Sequence, residues 1–313
     1  LAGLPLAALA LHHQADPEAF VRAFAGSHHY VVDYLVDEVF AQLPAESKRF
    51  LLFTSILERL CGPLCDAVMT EGAERSSQAL LAQLVRQNVF VIALDGEQRW
   101  FRYHHLFADV LRARLHDEHA AFVPELHRRA SAWYAQQVHE RDGSFLDAAV
   151  QHAVAGHDPE LAVQLIRGQA EHLLFTGQFA VLIRLLRLLP ADHLQHDAAL
   201  NMLLARAYYG SAQPQQIAPC LAIVRRGLPH AALPAAEQQQ IEWWMQALES
   251  QLLRIQGRYA ESIVLAQRIW ADIPHEHQHL RGFVALGLAL ALHMNGQLRE
   301  SVAPYEQAIE LFE

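Results

Sequence analysis

Cysteine is nearly missing from this sequence: Cys61, Cys65 and Cys220 are the three among 313 residues. So odd and sparse a set excludes a disulfide framework and suits a reducing, cytoplasmic setting. Glycine and proline are also few, at 15 and 13, which fits a compact soluble protein rather than a disordered one. Basic charge is short. The 24 Lys and Arg face 34 Asp and Glu, for a net charge of -10, whereas gripping a phosphate backbone takes clustered Lys and Arg. The apolar opening LAGLPLAALALHH is too short to span a bilayer. It has no basic leader or obvious cleavage site, so neither a membrane anchor nor a signal peptide is expected. The start inside an apolar helix and the finish mid-pattern at YEQAIELFE read as a piece of something longer.

Catalytic signatures are absent too. There is no G-x-S-x-G, no H-E-x-x-H, no G-x-x-x-x-G-K-[ST] phosphate loop and no credible acid pair. No enzymatic activity is expected of this stretch by itself.

What is present is helix-forming sequence. The hydrophobic share is 52%, Leu, Ala, Gln, Glu and Arg recur, and strand-forming runs are scarce, so the fold class is mainly α. Residues 1–43 read as helices, one starting at Asp16-Pro17-Glu18 and one carrying the stripe Tyr30, Tyr34, Leu35 and Val39. Residues 44–118 change pattern. ESKRFLLFTSILERL, PLCDAVM and SSQALLAQLVRQN are three expected helices. VFVIAL and RWFRYH follow, two β-rich runs around an Asp-Gly that signals a hairpin. Three helices and a hairpin are the order of a winged helix, and HLFADVLRARL leaves it as a further helix. Its third helix carries only Arg86 as a base, which weakens a direct DNA-binding role.

Residues 119–313 read as about five helix pairs. GSFLDAAV at 143, GQFAVLIR at 177, GRYAESIV at 257 and GQLRESVA at 296 each open an amphipathic helix after a Gly, and a weaker break stands at Gly210. Intervals of roughly 33 to 47 residues fit a helical-repeat solenoid. Around Gly296 the small Ala289 and large Leu292 precede the turn, and Leu298, Ser301, Tyr305 and Ala308 follow it. This alternation is the tetratricopeptide pattern.

Four groups of side chains are candidates for chemistry or binding. His275, Glu276, His277 and His279 in PHEHQHL can aim three imidazoles at one ion if the segment is extended, or stand as solvated loop histidines. Cys61 and Cys65, spaced C-x3-C without a second pair, pack around a Gly-Pro turn more readily than they bind zinc. Tyr208-Tyr209 and Trp243-Trp244 lie on repeat helices. Adjacent helical positions point about 100° apart, so one ring of each pair is expected to face the core while the other lines a groove or rests partly exposed. In WFRYHHLFADVL, His104 and His105 sit at the junction of hairpin and helix, where a packing histidine is the plain alternative to a functional one.

Several stretches of the chain carry a resemblance. Gly3-Leu4-Pro5-Leu6-Ala7 resembles the GLPL element of the STAND class of signal-transducing nucleotide-switch ATPases. Tyr103-His104-His105-Leu106 resembles that class's MHD motif. GSHHYVVDYLVDEVF, LLFTSILERLCGPLCDAV and WFRYHHLFADVLRARL are similar to the MalT type of large ATP-binding LuxR-family transcription regulators. The likeness is dense over residues 1 to about 155 and architectural beyond.

The resemblance implies the end of a switch-ATPase helical domain, a winged helix and a tetratricopeptide-like sensor. The nucleotide-binding core and a C-terminal DNA-binding domain would lie outside the chain. ATP or ADP would be the cofactor of the full-length protein, with none held by this chain alone. Pro5 would pack near the adenine, and His104 would reach the β-phosphate of ADP, latching the winged helix over the resting state. His105 replaces an expected Asp. A small-molecule or protein inducer at the repeats, with Tyr208, Tyr209, Trp243 and Trp244 as its candidate contacts, would favour the ATP form. That form self-associates and activates transcription, meeting DNA only through the domain outside this chain, with no membrane involved. A tetratricopeptide-like scaffold for a protein partner, with no nucleotide role, is the alternative.

Overall fold

The structure is a computed structural model that describes residues 40, 42–69, 76–87, 90–138 and 144–312. Pro5, the helices expected within 1–39 and the turn expected at Gly143 lie outside the described residues. The chain divides into two compact units, the first ending at Asp158 and the second beginning at Pro159.

The first unit holds α1 (Ala45–Thr54), α2 (Gly62–Met69), α3 (Ser77–Arg86), β1 (Val91–Ala93), β2 (Phe101–Tyr103), α4 (His105–His119), α5 (Val123–Gln137) and α6 (Ser144–Ala155). Ser76 caps α3, its hydroxyl accepting the Ala79 N–H at 3.3 Å. The hairpin is antiparallel with Val91 opposite Tyr103. Its turn is closed by the Asp95 carboxylate, which accepts the backbone N–H groups of Arg99 and Trp100 at 2.8 and 2.9 Å. This is the expected winged-helix order, with one difference.

The helix expected to run through Leu60 stops at Thr54. The Thr54 hydroxyl bonds back to the Phe50 carbonyl and also meets the Tyr103 hydroxyl, both at 2.6 Å. Ser55 bonds back to the Leu52 carbonyl at 2.7 Å. Such back-bonds compete with the helical ladder. Arg112 then covers the freed Ser55 carbonyl, its Nε donating at 2.9 Å. The released chain brings Leu60 beside β2, where Leu60 and Phe101 exchange both backbone hydrogen bonds at 2.8 Å. Both side chains are fully buried. The hairpin thus gains a third partner too short to leave a periodic signal.

The second unit holds α7 (Pro159–Phe175), α8 (Phe179–Leu188), the short α9 (Ala191–His196), α10 (Ala198–Gly210), α11 (Ile217–Gly227), α12 (Ala235–Ile255), α13 (Tyr259–Asp272), α14 (Gln278–Met294) and α15 (Leu298–Phe312). Four hairpins pair α7 with α8, α10 with α11, α12 with α13 and α14 with α15, so the unit is a tetratricopeptide-like α-solenoid. Each first helix ends in the same way. Gly177, Ala212, Gly257 and Gly296 have φ of 71°, 56°, 79° and 83°. The next residue donates back five positions: Gln178 to Leu173 at 2.8 Å, Gln213 to Tyr208 at 2.9 Å, Arg258 to Leu253 at 2.9 Å and Gln297 to Leu292 at 3.0 Å. This is the Schellman closure, which satisfies the last carbonyls of a helix. The break expected at Gly210 falls two residues later, at Ala212. Gly210 is instead the last residue of α10, and a Cβ there would stand 2.4 Å from the Phe179 ring.

Arginines close other helix ends. Arg129 donates to the Val68 carbonyl at 3.2 Å, Arg128 to Gly156 at 2.9 Å and Arg281 to Ile273 at 2.6 Å. Between α12 and α13 the hydroxyls of Ser250 and Ser262 each donate to the other's carbonyl, at 3.1 and 2.9 Å, so small polar side chains let the two backbones approach. Among the described residues no helix is long and apolar enough to cross a membrane.

Candidate functional site

His104 follows β2 and is the N-cap residue of α4. Its backbone N–H donates to the Phe90 carbonyl at 2.8 Å and its carbonyl receives Ala108 at 2.9 Å. The side chain makes no cap bond. The half-buried ring stacks on exposed His105, centroids 4.4 Å apart. Burial, then His105 and Arg102, lower its proton affinity below that of an ordinary histidine. The backbone therefore fixes where the imidazole starts, while its nitrogens are not used to build the junction. Beneath it, Tyr103 and Phe107 pack edge to face at 5.9 Å.

Two of the histidines of PHEHQHL take separate partners. His277 meets Trp243 at 5.2 Å and His279 meets Phe175 at 5.2 Å. Among the described residues no group of three or more His, Cys, Asp or Glu is placed to hold a metal ion. Cys61 and Cys65 are buried and free of any disulfide. Burial pushes the Cys65 thiol up, and the neighbouring Cys61 and Asp66 add to the effect, which makes it inert rather than nucleophilic.

The second unit contains a cavity of about 340 Å³, at the small end of the range for ligand sites, roughly 300–1,000 Å³. The first helix of each hairpin contributes to it. From α7 come Glu171, Leu174 and Phe175, from α10 Arg206, Tyr209 and Gly210, from α12 Trp244 and Leu248, and from α14 His279 and Phe283. Phe179 of α8 and Phe312 of α15 complete the wall. The two phenylalanines lean on glycines: Phe179 lies against Gly210, and Phe312 against Gly282, where a Cβ would stand 3.0 Å from the ring.

The aromatic pairs resolve unequally. Tyr208 is buried and turns to α8, where its hydroxyl accepts from Arg187 at 3.0 Å. Tyr209 lines the cavity and packs on Phe283 at 5.1 Å. Its hydroxyl donates to Gln251 Oε1 at 3.2 Å and accepts from Arg254 at 3.3 Å. Of the tryptophans, the more buried one, Trp244, lines the cavity, and half-exposed Trp243 faces His277.

One charged pair stands in this apolar wall. The Arg206 guanidinium lies 3.9 Å from the Trp244 ring centroid and holds Glu171 with two N–H groups, one at 2.8 Å. The Arg206 side chain is 11% exposed and that of Glu171 67% exposed. Burial works to raise the Glu171 carboxyl, but the Arg206 hydrogen bond and charge, with His279 nearby, hold it below its ordinary value. Sequence reading singled out Tyr209 and Trp244 but missed Glu171, Phe175, Phe179, Arg206, Phe283 and Phe312. The repeated position just before each first-helix turn was the available signal.

Comparison with known proteins places this geometry. Residues 36–123 match the family described as the MalT winged helix domain. The serine/threonine-protein kinase PknK of Mycobacterium tuberculosis and of Mycobacterium bovis is 32% identical over 239 residues, 76% of this chain. The chain spans 20% of the length of these curated relatives. The crystal structure of a Signal Transduction ATPase with Numerous Domains (STAND) protein with a tetratricopeptide repeat sensor, from Pyrococcus horikoshii, superposes with a TM-score of 0.51. That match is 13% identical and covers 95% of this chain and 51% of that one. The chain thus carries a winged helix of the MalT family, within a fold shared with a STAND protein that has a tetratricopeptide repeat sensor.

Proposed function

We propose that this chain is the regulatory and sensor part of an ATP-dependent, inducer-responsive transcription activator. The winged helix latches over ADP through His104, Pro5 packs near the adenine, and the helical repeats take the effector. The cavity on successive first helices is the observation that carries the sensor reading. It is concave, mostly apolar and furnished with one charged pair, the make-up of small-molecule sites. The latch reading draws on the position of His104, whose half-buried ring is not committed to capping α4. A neutral imidazole can donate one N–H to a phosphate oxygen, and an anionic phosphate would raise its proton affinity again. Effector binding favours the ATP form, which self-associates, and DNA is met through a domain outside this chain. No catalytic step is assigned to the residues present, and the kinase activity named for the relatives stays with them.

The test is His104→Ala in the full-length protein. ADP retention should weaken at least tenfold, and output without inducer should rise. Unchanged ADP affinity and basal output would remove the latch.

The second reading, a scaffold for a protein partner, has one observation in its favour. Leu298, Val302, Ile309 and Phe312 stand exposed on α15 at spacings that share a helix face. Charged replacements at Val302 and Ile309 that abolish capture of a protein partner, while ligand binding in the cavity persists, would favour it.

A further inference from the structure

We propose that the cavity of the second unit selects a hydrophobic monocarboxylate, aryl or medium-chain alkyl, whose carboxylate displaces Glu171 from Arg206. The proposal rests on the reading of the cavity as the effector site and assigns the chemical class of the effector.

The argument starts from charge. Glu171 and Arg206 are the Asp, Glu, Lys or Arg side chains among the lining residues, and they neutralise each other. Their environments differ. Arg206 is sunk against the Trp244 ring at 3.9 Å, and its side chain is 11% exposed, whereas that of Glu171 is 67% exposed. Withdrawing the arginine from its partners would strand a desolvated cation, which is costly. Withdrawing the glutamate returns an already largely exposed carboxylate to water at little cost, so long as a second carboxylate takes its place on Arg206. The replaceable partner is therefore the anion. A guanidinium presents a planar fork that fits a second carboxylate as well as the first.

The rest of the wall sets the other half of the ligand. Phe175, Phe179, Phe283, Phe312, Leu174 and Leu248 offer no hydrogen bond, which leaves the His279 imidazole, the Trp244 indole N–H and the Tyr209 hydroxyl as the other polar side-chain groups of the lining. The Tyr209 hydroxyl is already engaged by Gln251 and Arg254. A sugar, with hydroxyls around its whole periphery, would leave most of them unpaired. An amine would meet Arg206 as a like charge, and one face of the Trp244 ring is already taken by that guanidinium. An acid with one apolar body meets neither obstacle. Because Glu171 belongs to α7 and Arg206 to α10, the exchange also cuts a tie between two successive hairpins. Ligand binding is thereby given a mechanical consequence.

Calorimetry of the 313-residue chain with phenylacetate, phenylacetamide and phenethylamine, and with octanoate, octanol and octylamine, tests the assignment. Each acid should bind at least tenfold more tightly than its neutral and cationic counterparts. Arg206→Gln should erase that advantage. Glu171→Gln, at an exposed position that keeps the fold, should tighten acid binding several-fold by removing the competing carboxylate. Tighter binding of the amide, alcohol or amine, or weaker acid binding in Glu171→Gln, would overturn the acid assignment while leaving the cavity an effector site. Silence from all six probes would overturn both the assignment and the sensor reading of this cavity.

Discussion

A left-handed backbone costs a residue with a Cβ roughly 1–2 kcal/mol, and glycine almost nothing. Ala212 occupies that conformation with φ 56°, in the same closure that Gly177, Gly257 and Gly296 make elsewhere. Ala212→Gly should therefore stabilise the chain by about 0.5–1 kcal/mol, after the extra unfolded-state entropy of glycine is subtracted. Gly257→Ala is the reverse experiment. A Cβ there would meet nothing within 4 Å, so its expected net loss of about 0.5–1 kcal/mol reports backbone strain less the same unfolded-state entropy, with no clash added. Urea unfolding of the two variants checks both signs, and equal midpoints would show that the closure tolerates either residue. A buried pair of hydroxyls offers a separate residue-scale test. Tyr103→Phe leaves Thr54 still bonded to Phe50 and should cost about 1 kcal/mol. Removing both hydroxyls with Thr54→Val should then add less than Thr54→Val costs alone.

Helices α5 and α6 are joined by an imidazole pair, and pH acts on it at the scale of the element. His127 and His152 face each other Nδ1 to Nδ1 at 2.7 Å, with His152 stacked on Tyr134. One ring must donate and the other accept, which excludes a proton on both nitrogens of both rings, and burial disfavours a charge on either, so both are neutral at pH 7. Burial, followed by the charges of His116 and His157, pushes His127 down to about 4. Burial and then His127 push His152 down to about 3. An unfolded histidine titrates near 6.5, so between there and the folded values the unfolded chain binds more protons. Stability contributed by the pair is complete above about pH 6.5 and declines as the pH falls toward 4 and 3. Unfolding free energy measured from pH 7 to 4 should slope upward with pH, and His152→Phe should flatten that slope. An unaltered slope would mean that other groups carry the acid sensitivity.

The elements show what a linear pattern can and cannot announce. Gly177, Gly257 and Gly296 were legible as turns because glycine is the usual left-handed residue. Ala212, and His157 with φ 57°, were not, because neither residue type advertises that conformation. Likewise the end of α1 depends on Tyr103 and Arg112, about fifty residues downstream, and Leu60 pairs through a single bridge. No local periodicity encodes either.

For the molecule as a whole, sparse basic charge has a structural counterpart. Arg112, Arg128, Arg129 and Arg281 donate to the ends of helices, and Arg206 is bound to the cavity wall. The cavity was only partly legible because its lining gathers residues from 171 to 312, with Arg206 and Phe283 joined by fold rather than by neighbourhood in sequence. If the chain works as a switch, the two proposed sites must be linked, and linkage is reciprocal. An effector shifts a two-state equilibrium only by binding the states unequally. In the full-length protein, phenylacetate should therefore bind less tightly when ADP is present than when a non-hydrolysable ATP analogue is. ADP relative to the analogue should lose affinity by the same factor when phenylacetate is added. Typical couplings of about 1–3 kcal/mol correspond to factors of roughly 5 to 150, within reach of paired titrations. His104→Ala should bring both factors toward one together, because the latch that distinguishes the ADP state is gone. A factor that stays unchanged in this variant would assign the coupling to residues other than His104.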